Sequence, residues 1–263
     1  MDSDLVLTNV RDGVMTITLN RPTVLNSFNG AMAIALLQAL GQAAEDVAVR
    51  ALLLTANGRA FCAGQDLADA LPDADGTMPD LGHIVEHFYN PIILGIRTLE
   101  KPVVCAVNGV AAGAGCNFAL ACDLVIATES ASFLQPFCKL GLIPDTGGSY
   151  FLPRLVGTQR AMGLALLGDK LSAKRAAEIG LIFECVADAQ FAARIDAVAA
   201  QLASGPTLGY ARTKQAIYAS PNNTLDAQLA LEGTLMRECG FSEDYREGVA
   251  AFKEKRAALF KGR

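Results

Sequence analysis

Asp145 is the residue whose type and setting most suggest chemistry. It stands in Pro144-Asp145-Thr146-Gly147-Gly148, a few residues after Phe133, Phe137, Leu140, Leu142 and Ile143. An Asp in such a turn can cap a helix by accepting from its free N–H groups. Equally, an apolar setting can raise a carboxylate's pKa and poise it to take a proton. The residues alone leave both readings open. Two glycine-rich segments offer chemistry of another kind. Gly58 to Asp66, GRAFCAGQD, is too small and glycine-rich for a regular element to persist. It reads as a tight loop whose backbone N–H groups face outward. Gly109, Gly113 and Gly115 follow a strand pattern and open a helix, but their G-x-x-x-G-x-G spacing departs from the dinucleotide-binding fingerprint. What survives is a helix N-terminus with little side-chain cover, whose free N–H groups and positive dipole end suit an oxyanion.

His83-Ile84-Val85-Glu86-His87 matches H-x-x-E-H, a spacing known from zinc hydrolases. No further ligand cluster accompanies these two histidines, the only ones in the chain, so the segment reads as a solvated helix face and no metal is expected. A Ser-His-Asp mechanism lacks the G-x-S-x-G turn that would hold its serine. The seven cysteines are odd in number and scattered through apolar runs, which fits buried free thiols in a reducing compartment.

The scaffold around these residues can be read from patterning. The 263 residues, 52% hydrophobic and 19% charged, can bury a large core. A net charge of −5 argues against a nucleic-acid or anionic-membrane surface. No apolar run reaches the ~18 residues of a membrane span, and the N-terminus shows no basic start followed by an apolar stretch. A soluble, cytoplasmic protein is expected. Leu5 to Val10 and Val14 to Leu19 alternate around Arg11-Asp12-Gly13 and predict a hairpin. Asn26 or Ser27 can cap a helix running to about Asp46, and Arg50 to Ala56 predicts a buried strand. Ala68 to Gly82 reads as a flexible surface loop, and His83 to Leu99 as a helix closed by Lys101-Pro102. Strands over Val103 to Val107, Asp123 to Thr128 and Ser132 to Gln135 alternate with a helix over Ala114 to Ala121. From about Ser172 the chain reads as almost wholly helical. The pattern predicts an α/β core over residues 1–203 that holds the site, and a helical region over 204–263, divided at Ser204-Gly205-Pro206. The apolar faces of the closing helices are expected to meet another subunit.

LNRPTVLNSF (19–28), GRAFCAGQDL (58–67), KPVVCAVNGVAAGAGCNFALACDLVIA (101–127), GLIPDTGGSYFLPRLVG (141–157) and EDYREGVAAFKEKR (243–256) together resemble the enoyl-CoA hydratase/isomerase, or crotonase, superfamily. The resemblance runs from about Val6 to Arg256 with the motifs in family order. It implies a spiral of repeated ββα units with a helical C-terminal trimerisation region, forming a homotrimer or a dimer of trimers. The implied substrate is an acyl-CoA thioester, with coenzyme A part of the substrate and no separate cofactor. By motif position, the backbone N–H groups of Gln65 and Ala114 would hold the thioester oxygen of an enolate-like intermediate. Val24, Leu25, Ala63, Asp66 and Leu67 fall where the family lines the CoA groove, and Phe252 and Lys255 where a neighbouring subunit's tail meets the nucleotide. Family hydratases carry two glutamates that position water. Here those places hold Asn117 and Phe137, assigned to the substrate wall, while Asp145 stands where the isomerase branch, and most closely the ring-opening epoxyphenylacetyl-CoA isomerases, carries an acid. The implied activity is proton transfer by Asp145 alone, which shifts a double bond or opens an epoxide-bearing ring. The alternatives are a dehalogenase-type hydrolase with Asp145 as nucleophile, for which the family pattern wants a Trp at Phe137 and a His at Asn90, and an enoyl-CoA hydratase. A third is a thioester binder in which Asp145 is only a cap.

Overall fold

The computed structural model describes residues 5–72 and 75–263. Ten strands alternate with helices: β1 (Val6–Arg11), β2 (Val14–Leu19), β3 (Ala51–Ala56), β4 (Ala60–Cys62), β5 (Val103–Val107), β6 (Val110–Ala112), β7 (Leu124–Thr128), β8 (Ser132–Leu134), β9 (Leu171–Ser172) and β10 (Glu184–Val186). The helices are α1 (Gly30–Glu45), α2 (Leu81–Ile84), α3 (Asn90–Thr98), α4 (Ala114–Ala121), α5 (Gly148–Val156), α6 (Thr158–Leu167), α7 (Ala173–Glu178), α8 (Phe191–Ser204), α9 (Thr207–Ala219), α10 (Leu225–Gly240) and α11 (Glu243–Glu254).

Two sheets result, one in the order β1-β2-β3-β5-β7-β10 and a smaller one in the order β4-β6-β8-β9. Their logic is a repeat. A long strand (β3, β5, β7) lies in the large sheet, a sharp corner sends the chain into a three-residue strand (β4, β6, β8) of the small sheet, and helical chain leads to the next pair. Within each sheet successive members pair in parallel, Leu52 with Val103 and Val104 with Leu124 in one, Ala60 with Val110 and Val110 with Ser132 in the other. This is the spiral of ββα units that the motifs imply. The centre of the large sheet is covered on both faces, so β5, VVCAV, is apolar at every position and fully buried rather than alternating. One face packs on the main core with α1 and α3; the other meets Ile195 and Val198 of α8 through Val104, Ala106 and Ile126.

Several expectations need correction. The residue that caps α1 is Asn29, whose side chain accepts from the Met32 N–H, not Asn26 or Ser27. Asn26 is instead buried in a left-handed turn (φ 55°), where it accepts from the Arg21 N–H and donates to the Asn57 and Ala60 carbonyls. The GRAFCAGQD segment is not loop throughout: Ala60–Cys62 is strand β4, because its buried side chains complete the small sheet beside β6. The helix expected from His83 starts at Leu81 and contains a π-turn over Val85–Tyr89 before α3. The region after Ser172 carries one strand more than expected, β10, parallel to β7, while β9 pairs antiparallel with β8. Of the expected loop at Ala68 to Gly82, Leu67–Ala70 forms a short 3-10 turn, and residues 73 and 74 lie outside the described residues. All seven cysteines are free, four of them buried. No helix among the described residues is long and apolar enough to cross a membrane.

The helical tail is tied to the core by buried charge. Lys214 of α9 pairs with Asp123 at 2.8 Å and donates to the Lys101 carbonyl, while Asp123 also accepts from the Val103 N–H at the start of β5. Arg50 donates to the Gly205 carbonyl and the Thr207 hydroxyl, across the turn between α8 and α9.

Candidate active site

The site is built where two short strands of the small sheet end. β4 leads into Gly64-Gln65, and β6 into Gly113, where α4 begins. The two junctions touch: Gly115, one residue into α4, lies so close to β4 that a Cβ there would stand 2.5 Å from the Cys62 Cβ and carbonyl oxygen. A Cβ on Gly64 would be 3.8 Å from the Ala114 nitrogen. The chain enters α4 through Gly113 at φ 52°, ψ −127°, a conformation that side-chain-bearing residues avoid. No side chain caps the helix, so its first N–H groups stay uncovered.

At the other junction, the backbone bridge between Phe28 and Gln65 uses the Phe28 N–H, which donates to the Gly64 carbonyl, and the Asp66 N–H, which donates to the Phe28 carbonyl. Both neighbours of the Gln65 N–H are thus committed. Among the described residues, neither the Gln65 N–H nor the Ala114 N–H has a backbone acceptor. Two free donors on adjoining junctions match an oxyanion hole, in which preorganised N–H groups meet charge as it develops.

Asp145 reaches this place through α4. Asn117, with 0% of its surface exposed, donates from its carboxamide to the Asp145 carbonyl at 2.8 Å and accepts from the Gln135 carboxamide at 2.8 Å. The Gly148 N–H also donates to the Asp145 carbonyl at 2.7 Å, which closes the turn. Both ends of the Asn117 carboxamide are thus bonded within the protein, and it stands as a post between α4 and the backbone of Asp145. Asn117→Ala leaves a buried carbonyl and a buried amide short of partners, at a cost of about 1–3 kcal/mol. Urea unfolding should show that loss together with a fall in activity, and unchanged stability would refute the role.

The structure removes the cap reading of Asp145. Helix α5 starts at Gly148 with Gly147 as its cap, and no side chain accepts from its first N–H groups. The Asp145 carboxylate instead accepts from the Thr146 hydroxyl at 2.7 Å. Thr146 sits at φ 52°, a strained conformation for a β-branched residue, which the turn imposes. Burial raises the Asp145 pKa, opposed by the Thr146 hydroxyl and the residue's own N–H. Such a carboxylate holds a proton more readily than an exposed one, the property wanted in a proton carrier. The apolar setting is narrower than the sequence suggests. Phe133 and Phe137 are buried, but Leu140, Leu142 and Ile143 lie exposed on the chain's surface. The Phe137 ring leans over the start of α4, with its Cζ 3.6 Å from where a Gly113 Cβ would stand.

The other expected residues divide. Ala63 donates its N–H to the Leu25 carbonyl, which brings the Val24-Leu25 turn against the segment that follows β4. Val24 is exposed and Leu25 half-buried in a left-handed conformation. Asp66 is occupied internally: it pairs with Arg21 at 2.9 Å and caps the Leu67–Ala70 turn. The Leu67 side chain lies outside the described part. Phe252 is 86% exposed on α11, and Lys255 ends that helix in a left-handed conformation. His83 and His87 stack at 3.9 Å between ring centroids. Among the described residues, no three His, Cys, Asp or Glu side chains come together as a metal site would need.

Sequence reasoning missed Arg21, Thr146 and Gln135. Arg21 donates to the Ser27 carbonyl and to Asp66, locking the Val24-Leu25 turn to the segment that follows β4. Its place in LNRP was visible; its partner, 45 residues on, was not.

A two-sheet ββα spiral with paired free N–H groups and a half-buried acid is the architecture of the crotonases. The enoyl-CoA hydratase/isomerase family model matches residues 9–263, and the chain belongs to that family. It is 53% identical over 260 residues to the 1,2-epoxyphenylacetyl-CoA isomerase of Escherichia coli (strain K12), covering 99% of each chain. It is 48% identical over 254 residues to the probable enoyl-CoA hydratase of Rhodobacter capsulatus, covering 97% of this chain and 96% of the other. The enoyl-CoA hydratase of Bacillus anthracis superposes with a TM-score of 0.90 at 33% identity, over 98% of this chain and 100% of that one.

Proposed function

We propose that the protein is an acyl-CoA isomerase in which Asp145 is the base and then the acid. The Asp145 carboxylate takes a proton from carbon conjugated to the thioester, the electrons move onto the thioester oxygen, and the Gln65 and Ala114 N–H groups hold the resulting enolate. The same proton returns at another carbon, so a double bond has moved, or an epoxide-bearing ring has opened, with no atom gained or lost. Phe137 at the start of α4 keeps water from the enolate. The observation that carries the reading is a half-buried acid of raised pKa joined through Asn117 to the helix that offers Ala114, with an amide and a phenyl ring at the two places where hydratases hold their acids. The 53% identity to an epoxyphenylacetyl-CoA isomerase supports the same choice. Val24, Leu25 and Ala63 form the nearby turn on which the CoA moiety would lie. Exposed Leu225, Leu229, Met236, Phe241 and Phe252 on and beside α10 and α11 support a homotrimer or a dimer of trimers, in which a neighbour's Phe252 and Lys255 would meet the nucleotide.

The test is a panel of thioesters, 3-enoyl-CoA, 3,4-dehydroadipyl-CoA and epoxyphenylacetyl-CoA, with crotonyl-CoA hydration measured in parallel. Isomerisation of at least one ester should exceed hydration by about 100-fold, as expected when the water-positioning acids, each worth about 10²–10⁴-fold, are absent. Strong hydration of crotonyl-CoA would overturn the reading, and chloride release from a chlorobenzoyl-CoA would establish the hydrolase instead.

A further inference from the structure

One polar side chain near the site carries a hydroxyl that no hydrogen bond of the fold uses. Tyr89 ends the π-turn Val85–Tyr89 and is 1% exposed. Its ring is gripped edge-on by Phe28, at 6.3 Å between centroids and 88° between planes, and by Phe118, at 5.8 Å and 86°. Phe28 bridges to Gln65, and Phe118 is the neighbour of Asn117 on α4, so the phenol is wedged between the two walls of the oxyanion hole. Among the described residues, the Tyr89 hydroxyl neither donates nor accepts a hydrogen bond. Buried tyrosines ordinarily find a partner; the unpaired Tyr89 oxygen is not fully sealed from solvent, as the Gln65 carboxamide nitrogen is.

Burial holds the phenol's proton more tightly than in water, and the Asp145 carboxylate adds to that. The hydroxyl therefore keeps its proton and can serve as a donor. A second orphan lies on the residue bridged to Phe28: the Gln65 carboxamide nitrogen is buried with no partner. A π-turn adds a residue to the helical ladder and re-aims the side chains it carries, and such turns gather at functional sites. Here the turn delivers Tyr89.

We propose that Tyr89 is a substrate-specificity residue, whose hydroxyl donates to an oxygen carried on the acyl group beside the reacting carbon, with the Gln65 carboxamide as second donor. An epoxide or ring-ether oxygen fits, since it has lone pairs and no hydrogen; an unsubstituted enoyl chain leaves both donors unpaired. The phenol keeps its proton and no bond forms or breaks at it. This rests on the acyl-CoA isomerase reading and adds to it the chemistry of the acyl group: a ring bearing oxygen next to the thioester side chain.

The test compares wild type with Tyr89→Phe, which keeps the ring in its aromatic clamp. Phenylacetyl-CoA and 2-hydroxyphenylacetyl-CoA, which have no bond to shift, are titrated by calorimetry. Wild type should favour the oxygen-bearing ester by about tenfold, and the variant should bind both alike. In turnover, the variant should lose about tenfold in kcat/KM on epoxyphenylacetyl-CoA and stay within about twofold on a 3-enoyl-CoA. Equal affinities in wild type, or a preference that survives Tyr89→Phe, overturn the proposal. An equal loss on both substrates also overturns it, because packing alone would then account for Tyr89. If wild type isomerises no ester, the isomerase reading falls, while the calorimetric comparison still decides the role of Tyr89.

Discussion

Asp145→Asn is expected to lower isomerisation by about 10²–10⁴-fold, the usual contribution of a positioned proton carrier, while affinity for the CoA ester stays close to wild type. The amide keeps the shape and can still accept from the Thr146 hydroxyl, but it cannot take a proton. Stability should move the opposite way from the loss of a helix cap. Because burial raises the folded pKa of Asp145, the charged form disfavours the folded state. The penalty is complete above the folded pKa. It shrinks as pH falls from there to the ordinary carboxylate value, and is absent below it. Asp145→Asn should therefore resist urea better than wild type at pH 7, and the advantage should vanish in acid. The same shift puts the acid limb of the wild-type pH–activity profile above the ordinary carboxylate range, since the ionised form is the base. Activity that survives the substitution would remove Asp145 from the mechanism, and a loss of stability at pH 7 would restore the cap.

The sequence carried the fold and the site to different depths, for physical reasons. The buried strands of the large sheet were legible because both faces are covered, so VVCAV and its neighbours read as unbroken apolar runs. α4 was legible from a glycine entry and a run of small and apolar residues broken only by Asn117. Of the three-residue strands of the small sheet, β8 was legible as Ser132 to Gln135, but β4 and β6 were not, because three residues are too few for periodicity to outweigh the glycines beside them. Local propensity also misplaced Asn26. It reads as a good cap, but its side chain is spent on three backbone groups of its own turn and of the loop around β4. Asp145 shows the limit most plainly. Its turn has the composition of a helix start, and only the fold shows that Gly147 takes the cap position while Asn117, 28 residues earlier, holds the acid's backbone. The family resemblance nominates the Gln65 and Ala114 donors, but their adjacency depends on a contact between Cys62 and Gly115 that no local pattern encodes.

Main-chain catalysis is usually hard to test by substitution, yet the position of Ala114 allows it. Ala114 is the first residue of α4, so its N–H has no acceptor within the helix. Proline is well tolerated at that position, because the N–H it removes is one the helix does not use. The preceding residue, on which a proline imposes its main restriction, is a glycine. Ala114→Pro should thus keep α4 and delete one oxyanion donor, lowering kcat/KM by about 10²–10³-fold. The control is Ala114→Gly, which keeps the N–H: its activity should stay within about tenfold of wild type, whatever the ~1 kcal/mol it costs in stability. Circular dichroism and thermal melting establish that both variants are folded. If Ala114→Pro is folded and turns over like Ala114→Gly, the Ala114 N–H does not hold the enolate, and the charge must rest on Gln65 and other donors. If the proline variant alone collapses in rate while binding CoA esters, the helix start acts in the transition state, as its uncovered N–H implies.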